Sequence, residues 1–273
     1  MSALAWGAGD FGGGMLARRA PLLGVVLGTQ LVGMALALVL GLARGEPVPR
    51  GADLGWSLAA GVAGVAGITT LYRGLAVGRM GVVAPTTGVL AAVIPVVAGF
   101  VLEGLPPPAV ILGIAAALVA VVLVTRAPGH GSDRPSGIAW AIAAGVMLGT
   151  FNICIGQLSG EGAFAPLVII RLVQAAVLVA LIVLWRQPWR MSGDVLWRLV
   201  LVGALDMTGN AAFILATQAG QLAIAAVLSS LYPVTTVILA IVILHERLTR
   251  SHVAGIVLTA VAIVLIGLGG ATL

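Results

Sequence analysis

The stretch from Leu222 to Arg250, LAIAAVLSSLYPVTTVILAIVILHERLTR, decides how the rest of this chain is read. It is an apolar run long enough to cross a bilayer, which takes about 20 residues. Ser229, Ser230, Tyr232 and Pro233 interrupt it near the middle, and His245, Glu246 and Arg247 close it. Hydroxyls beside a helix-breaking proline are tolerated at that depth only where they face protein or a wet cavity. A helix over 222–244 that walls an internal pathway is therefore expected.

Runs of this kind fill the chain. Of its 273 residues 60% are hydrophobic and 8% charged, and the mean hydropathy is +1.17. Such a composition belongs in a membrane and leaves no room for a soluble domain. Charge, Pro and Gly divide it into ten expected helices, at about 2–17, 22–43, 54–76, 80–102, 108–125, 137–156, 165–185, 196–217, 222–244 and 252–270. The first is read as a helix and not a leader peptide, because Arg18 and Arg19 follow its apolar run instead of preceding it. Trp56, Trp140, Trp185, Trp189 and Trp197 fall near expected helix ends, as an interfacial belt requires.

A net charge of +5 would suggest nucleic acid in a soluble protein. Here the basic residues sit mostly in short segments between apolar runs, the pattern of orientation signals, so no nucleic acid is expected. All fourteen are arginine, and without lysine there is no Walker A loop, which argues against ATP-driven pumping by this chain alone. No cofactor and no metal site is expected: Thr249 stands where His245-Glu246 would need the second histidine of H-E-x-x-H. The single Cys154 lies in an apolar run and reads as a small core residue.

The two halves repeat. Gly7 and Asp10 align with Gly149 and Asn152 at an offset of 142, Gly78 with Gly220 at the same offset, Asp53 and Trp56 with Asp194 and Trp197 at 141, and Glu103 with Glu246 at 143. Glycine matches come cheaply in this composition, but the chain holds only nine acids and six tryptophans, so the acidic and Trp matches indicate duplication. The expected organisation is a first repeat over 1–126, a polar linker over 127–136 and a second repeat over 137–273. Five helices is an odd number, so the second repeat enters the membrane from the opposite side. Such an inverted pair places a substrate site near the midplane between halves.

L-S-S-L-Y-P at 228–233, followed by T-T-V-I-L-A and H-E-R-L-T, resembles the second-repeat signature of EamA-type proteins of the drug/metabolite transporter superfamily. The run from Gly74 to Pro85 and the opening Trp6-Gly-Ala-Gly-Asp10-Phe look like the matching first-repeat motifs. The resemblance implies an all-α integral membrane protein, ten transmembrane helices as two inverted five-helix repeats. It also implies a cavity lined by helices 3, 4, 8 and 9 with parts of 1 and 6, which adds Tyr72 and Asn152, and both termini in the cytoplasm. The arginines point the other way: Arg44 and Arg50 lie on the N-terminal side against eleven on the opposite side, which puts the termini outside.

Ionisable groups inside a span are costly and mark functional sites. Asp10, Arg171 and Asp206 lie inside expected spans. Asp206 and Asn210 share a helix face, as do Arg171 and Gln174. One reading has Asp206 and Asp10 face the cavity, to bind a cationic group or exchange protons. The other has an Asp206–Arg171 or Asp10–Arg171 ion pair that fixes helix packing. Pro85, Thr86, Thr87 and Pro95 mirror Ser229, Ser230, Tyr232 and Pro233, although Leu90 occupies the position aligned with Pro233.

The expected function is a secondary-active transporter in the cell membrane, exporting small polar metabolites or amino acids by alternating access. Its partners are a small-molecule substrate, the lipid bilayer and, through Asp206 and Asp10, protons; no obligate protein partner is expected. A multidrug or lipophilic-cation exporter is the alternative. A paired carboxylate among aromatic rings would favour cations, and a free Arg171 would favour carboxylates. A membrane scaffold and an intramembrane aspartyl protease, after the G-x-G-D string at Gly7–Asp10, stand as readings from other classes.

Overall fold

In hydrocarbon a peptide N–H or C=O has no water to turn to, so long apolar sequence closes its hydrogen bonds within itself as helix. The computed structural model describes residues 1–17, 19–77, 80–125, 137–159, 162–220, 222–229 and 250–270, together with 231, 232, 235 and 239. They form α1 (Ser2–Ala17), α2 (Leu22–Ala43), α3 (Gly51–Val77), α4 (Met80–Glu103), α5 (Pro108–Thr125), α6 (Ile138–Gly156), α7 (Phe164–Leu184), α8 (Gly193–Ala219), α9 (Leu222–Ser229) and α10 (Arg250–Gly270). No strand occurs among the described residues.

Both α3 and α8 begin three residues before the expected starts at 54 and 196. Hydropathy marks where a run turns apolar, but a helix can open on a polar turn, and an acid such as Asp53 there suits the positive helix end. The expected helix over 222–244 is seen through Ser229; Ser230, Pro233, His245, Glu246 and Arg247 lie outside the described residues, as does the linker at 127–136. At α2 the end is a hydrogen-bonded reversal on Gly45 at φ +63. The Glu46 N–H donates to the Gly41 carbonyl at 3.0 Å and the Gly45 N–H to the Leu42 carbonyl at 3.1 Å. The same reversal closes α7, with Arg186 at φ +48 in the position that glycine usually takes.

Five helices, α2, α3, α6, α7 and α8, are long and apolar enough to cross a membrane among the described residues. Their surfaces invert the soluble pattern. Leu42, Val62, Val183 and Val257 are more than half exposed, whereas Gln30, Arg171, Gln174 and Asn210 are buried. Trp56, Trp140, Trp185, Trp189 and Trp197 are exposed near helix ends. Trp6 is the exception, packing inside against Phe213 with ring centroids 5.6 Å apart.

The main pairings join an early helix to a late one: α1 with α8, α2 with α7 and α8, α3 with α6 and α7, α4 with α6 and α9, α5 with α10. Two apolar layers result. One gathers Phe213, Ile155, Leu167 and Ile170, the other Val25, Val26, Leu178 and Leu199. On α2, α7 and α8 the polar residues Gln30, Arg171 and Asp206 fall in sequence between members of the two layers.

At the end where α2 and α8 finish and α3 and α7 begin, side chains tie the α2–α3 connection to the α6–α7 connection. Glu46 Oε2 accepts the first two N–H groups of α7, from Phe164 at 2.7 Å and Ala165 at 2.9 Å. Arg44 lies 3.5 Å from Glu46 and stacks its guanidinium on the Phe164 ring at 5.6 Å. Asp53 accepts the Ser159 N–H at 3.0 Å and its hydroxyl at 2.5 Å, and Gln218 donates to the Gly162 carbonyl at 3.2 Å. A carboxylate capping two orphan N–H groups is worth about 1–2 kcal/mol. Glu46→Ala is accordingly expected to lower stability by about that amount, measured by thermal unfolding of the detergent-purified protein, and Glu46→Gln by less.

Candidate functional site

Helical spacing builds the site. Arg171 and Gln174 are one turn apart on the inward face of α7, and Asp206 and Asn210 one turn apart on α8, so each helix presents two polar groups to the interior. From α2 comes Gln30. These groups meet at Arg171. Its Nη1 donates to Gln30 Oε1, and to Gln174 Oε1 at 3.1 Å, and its Nη2 donates to Asp206 Oδ2. The Asn210 amide donates to the Asp206 carbonyl at 2.7 Å and to Oδ1 at 3.3 Å. Arg171 Nε and Asn210 Oδ1 are buried without a partner among the described residues. Nε faces Gly33 of α2, where an added Cβ would stand 3.2 Å from it.

Of the two ion pairs expected from sequence, the chain forms the one between Arg171 and Asp206. Asp10 makes no hydrogen bond or ion pair among the described residues, yet it opens on the same space. That space is a small cavity of about 70 Å³, part of it open to the outside.

Six of the residues expected at a cavity line this one: Asp10, Asn152, Arg171, Asp206, Asn210 and Tyr232. Asn152 also reaches across to α4, donating to the Ala91 carbonyl at 3.4 Å. Others serve elsewhere. Tyr72 is buried with its hydroxyl against Gly13 of α1 and is not part of the wall. Thr87 donates to the Ala141 carbonyl at 3.2 Å and so fastens α4 to α6. Thr86 is half-buried and Ser229 buried, neither on the wall. Nothing is described of the Pro85 side chain, and Ser230 and Pro233 lie outside the described residues.

Sequence reasoning left Gln30, Gln174, Trp6 and Phe151 out of the cavity. For Gln30 the signal was present: an amide in the middle of a 22-residue apolar helix has the same need for a partner as a charge does. For Gly64 of α3 no sequence signal exists. A Cβ there would come within 2.9 Å of the Phe151 ring and strike the Gln174 amide, so its hydrogen keeps the network and the ring in place.

An aspartyl-protease centre needs two carboxylates that share a proton. Asp10 and Asp206 do line one cavity. Asp206, however, is paired with the Arg171 guanidinium and not with Asp10.

Apolar outer faces, five membrane-length helices and a polar chamber between two apolar layers define a multi-pass membrane protein with an internal polar cavity. Residues 135–268 match the model of the EamA-like transporter family, and through that stretch the chain belongs to this family of the drug/metabolite transporter superfamily. One solved crystal structure, described only as that of a protein, is 18% identical. The match covers 98% of this chain and 94% of the other, with a TM-score of 0.75. At that identity the likeness shows the fold alone. No curated protein matches the chain.

Removing one partner of a buried pair strands the other charge, which costs on the order of 3 kcal/mol where, as for Asp206, some access to water remains. Arg171→Met alone is expected to unfold at a clearly lower temperature than Arg171→Met/Asp206→Leu. A double-mutant cycle in detergent measures this coupling; additive losses would mean that the two groups do not depend on one another.

Proposed function

We propose that the chain is a secondary-active exporter of small polar metabolites or amino acids in the cell membrane, working by alternating access between two inverted five-helix repeats. One observation carries this reading. The cavity wall is built from positions that recur: Trp6 and Leu148, Asp10 and Asn152, Gly64 and Asp206, and Ile68 and Asn210 each stand 142 residues apart, and Gln30 and Arg171, and Ala91 and Tyr232, 141 apart. Helix pairings recur as well. The contact of α1 with α8 has its counterpart in α6 with α3, that of α2 with α8 in α7 with α3, and α2 with α7, α4 with α9 and α5 with α10 are their own counterparts. Such relations support a reading as two copies turned about an axis through the cavity, and an interface of that kind would let one half rock against the other around a fixed site.

In this mechanism the solute enters from one end, sits against Asp10, Asp206 and Arg171, and leaves at the other end when the halves re-pack. Protons are the coupling ion in this reading, carried at Asp10, which has no ion pair among the described residues. The ties of Glu46 to α7 and of Asp53 to Ser159 join an early connection to a late one, so they form the closure at their end of the molecule. Export requires them to part in each cycle. The aromatic rings of Trp6, Phe151 and Tyr232 on the wall favour, as a second reading, solutes with an apolar body.

A switchable lock tests this. In a Cys154→Ser background, Asp53→Cys and Ser159→Cys place two thiols at the closure. Extracellular metabolites of cells carrying this protein, wild type or an empty vector are then compared. Wild type and the reduced pair are expected to release one solute class absent with the vector. Oxidation is expected to cut that release by at least about tenfold, and reductant to restore it. Release that persists after complete cross-linking would overturn alternating access through this end. Profiles identical to the vector would overturn export.

A further inference from the structure

Among the described residues, the charged groups on the cavity wall do not balance. Two carboxylates, Asp10 and Asp206, face it, against one guanidinium, Arg171. Arg171 has three of its five N–H donors taken, both on Nη1 by Gln30 and Gln174 and one on Nη2 by Asp206. Of the other two, the Nε–H lies against Gly33. Among the described residues that leaves a carboxylate on the solute only the second Nη2 hydrogen, a single contact in place of the bidentate fork of a strong carboxylate site.

Asp10 is the reverse case, with no ion pair or hydrogen bond among the described residues. Around it the wall offers acceptors and apolar surface. Asn210 is buried, and its Oδ1 has no donor among the described residues. The rings of Trp6, Phe151 and Tyr232 supply faces suited to a cation and to hydrocarbon.

Building on the transporter reading above, we propose that the cavity takes a solute of net charge +1: an amine whose ammonium faces Asp10 and whose carbon skeleton lies along Trp6, Phe151 and Tyr232. Within the class of small polar metabolites this selects cationic amines over zwitterions and anions. Asp10 is the specificity-determining residue, and the Arg171–Asp206 pair is a fixed wall that offers a carboxylate no bidentate site.

The test uses one skeleton with three charges. Phenethylamine, phenylalanine and 3-phenylpropionate are titrated calorimetrically into the purified full-length protein, with cyclohexylamine as a second amine. Both amines are expected to bind at least about tenfold more tightly than the zwitterion and the anion. Asp10→Asn is expected to remove that preference and Asp10→Glu to keep it, each variant first matched to wild type in thermal unfolding. The proposal is overturned if phenylalanine or 3-phenylpropionate binds as tightly as the amines, if neither amine binds below millimolar concentration, or if Asp10→Asn keeps the preference. Any of these results obtained with lock-dependent export intact removes the charge assignment and leaves the transporter reading standing. Loss of lock-dependent export removes the transporter reading itself.

Discussion

A guanidinium held inside a membrane protein must be given partners by its neighbours or the helix that carries it does not stay there. Arg171 is 2% exposed, and three helices each supply part of what it needs: Gln30 from α2, Gln174 from its own α7, Asp206 from α8. Each of these groups sits in an otherwise apolar run and has no better partner in hydrocarbon. The rotation of all three helices about their axes is thereby constrained, since turning any one would strand a charge or an amide. Buried pairs of this kind contribute more to which arrangement forms than to how stable it is, and here the arrangement is the cavity.

The same constraint shapes what the cavity offers. Because Arg171 is largely engaged by its neighbours, the carboxyl left facing open space without a partner among the described residues is that of Asp10. Small residues keep the space from closing. Gly64 lets the Phe151 ring and the Gln174 amide approach α3, and Ala91 leaves room opposite Tyr232. Apolar layers on either side, around Phe213 and Leu167 and around Val25 and Leu178, hold the polar level between them. Wall positions about 141–142 residues apart carry unlike groups: Asp10 and Asn152, Asp206 and Gly64, Arg171 and Gln30.

Much of this was legible in the chain itself. Apolar runs marked the helices because a bilayer leaves the backbone few other conformations, and the boundaries slipped chiefly where polar first turns, as at Asp53, precede the apolar stretch. Asp10, Arg171 and Asp206 stood out because charge inside a span is rare and expensive. Gln30 did not, because an uncharged amide carries a fainter penalty, although it meets the same need. Tyr72 and Thr87 look cavity-bound, the first through the family resemblance and the second because it mirrors the hydroxyls of Ser229 and Ser230. Which way a side chain faces depends on helix rotation, and that turns one against Gly13 and the other onto the Ala141 carbonyl.

By itself, then, the sequence determined that the chain is helical, that it lies in a membrane and that a few costly polar residues mark its interior. These follow from composition and from spacing along one strand of peptide, where the solvent imposes the rule. Tertiary structure alone decided that Arg171 pairs with Asp206 instead of Asp10, that Gln30 completes the network, and that Glu46 and Asp53 tie two distant connections together. Each is a choice among partners more than 30 residues apart, fixed by how helices rotate and cross when they pack, and no local pattern encodes that geometry.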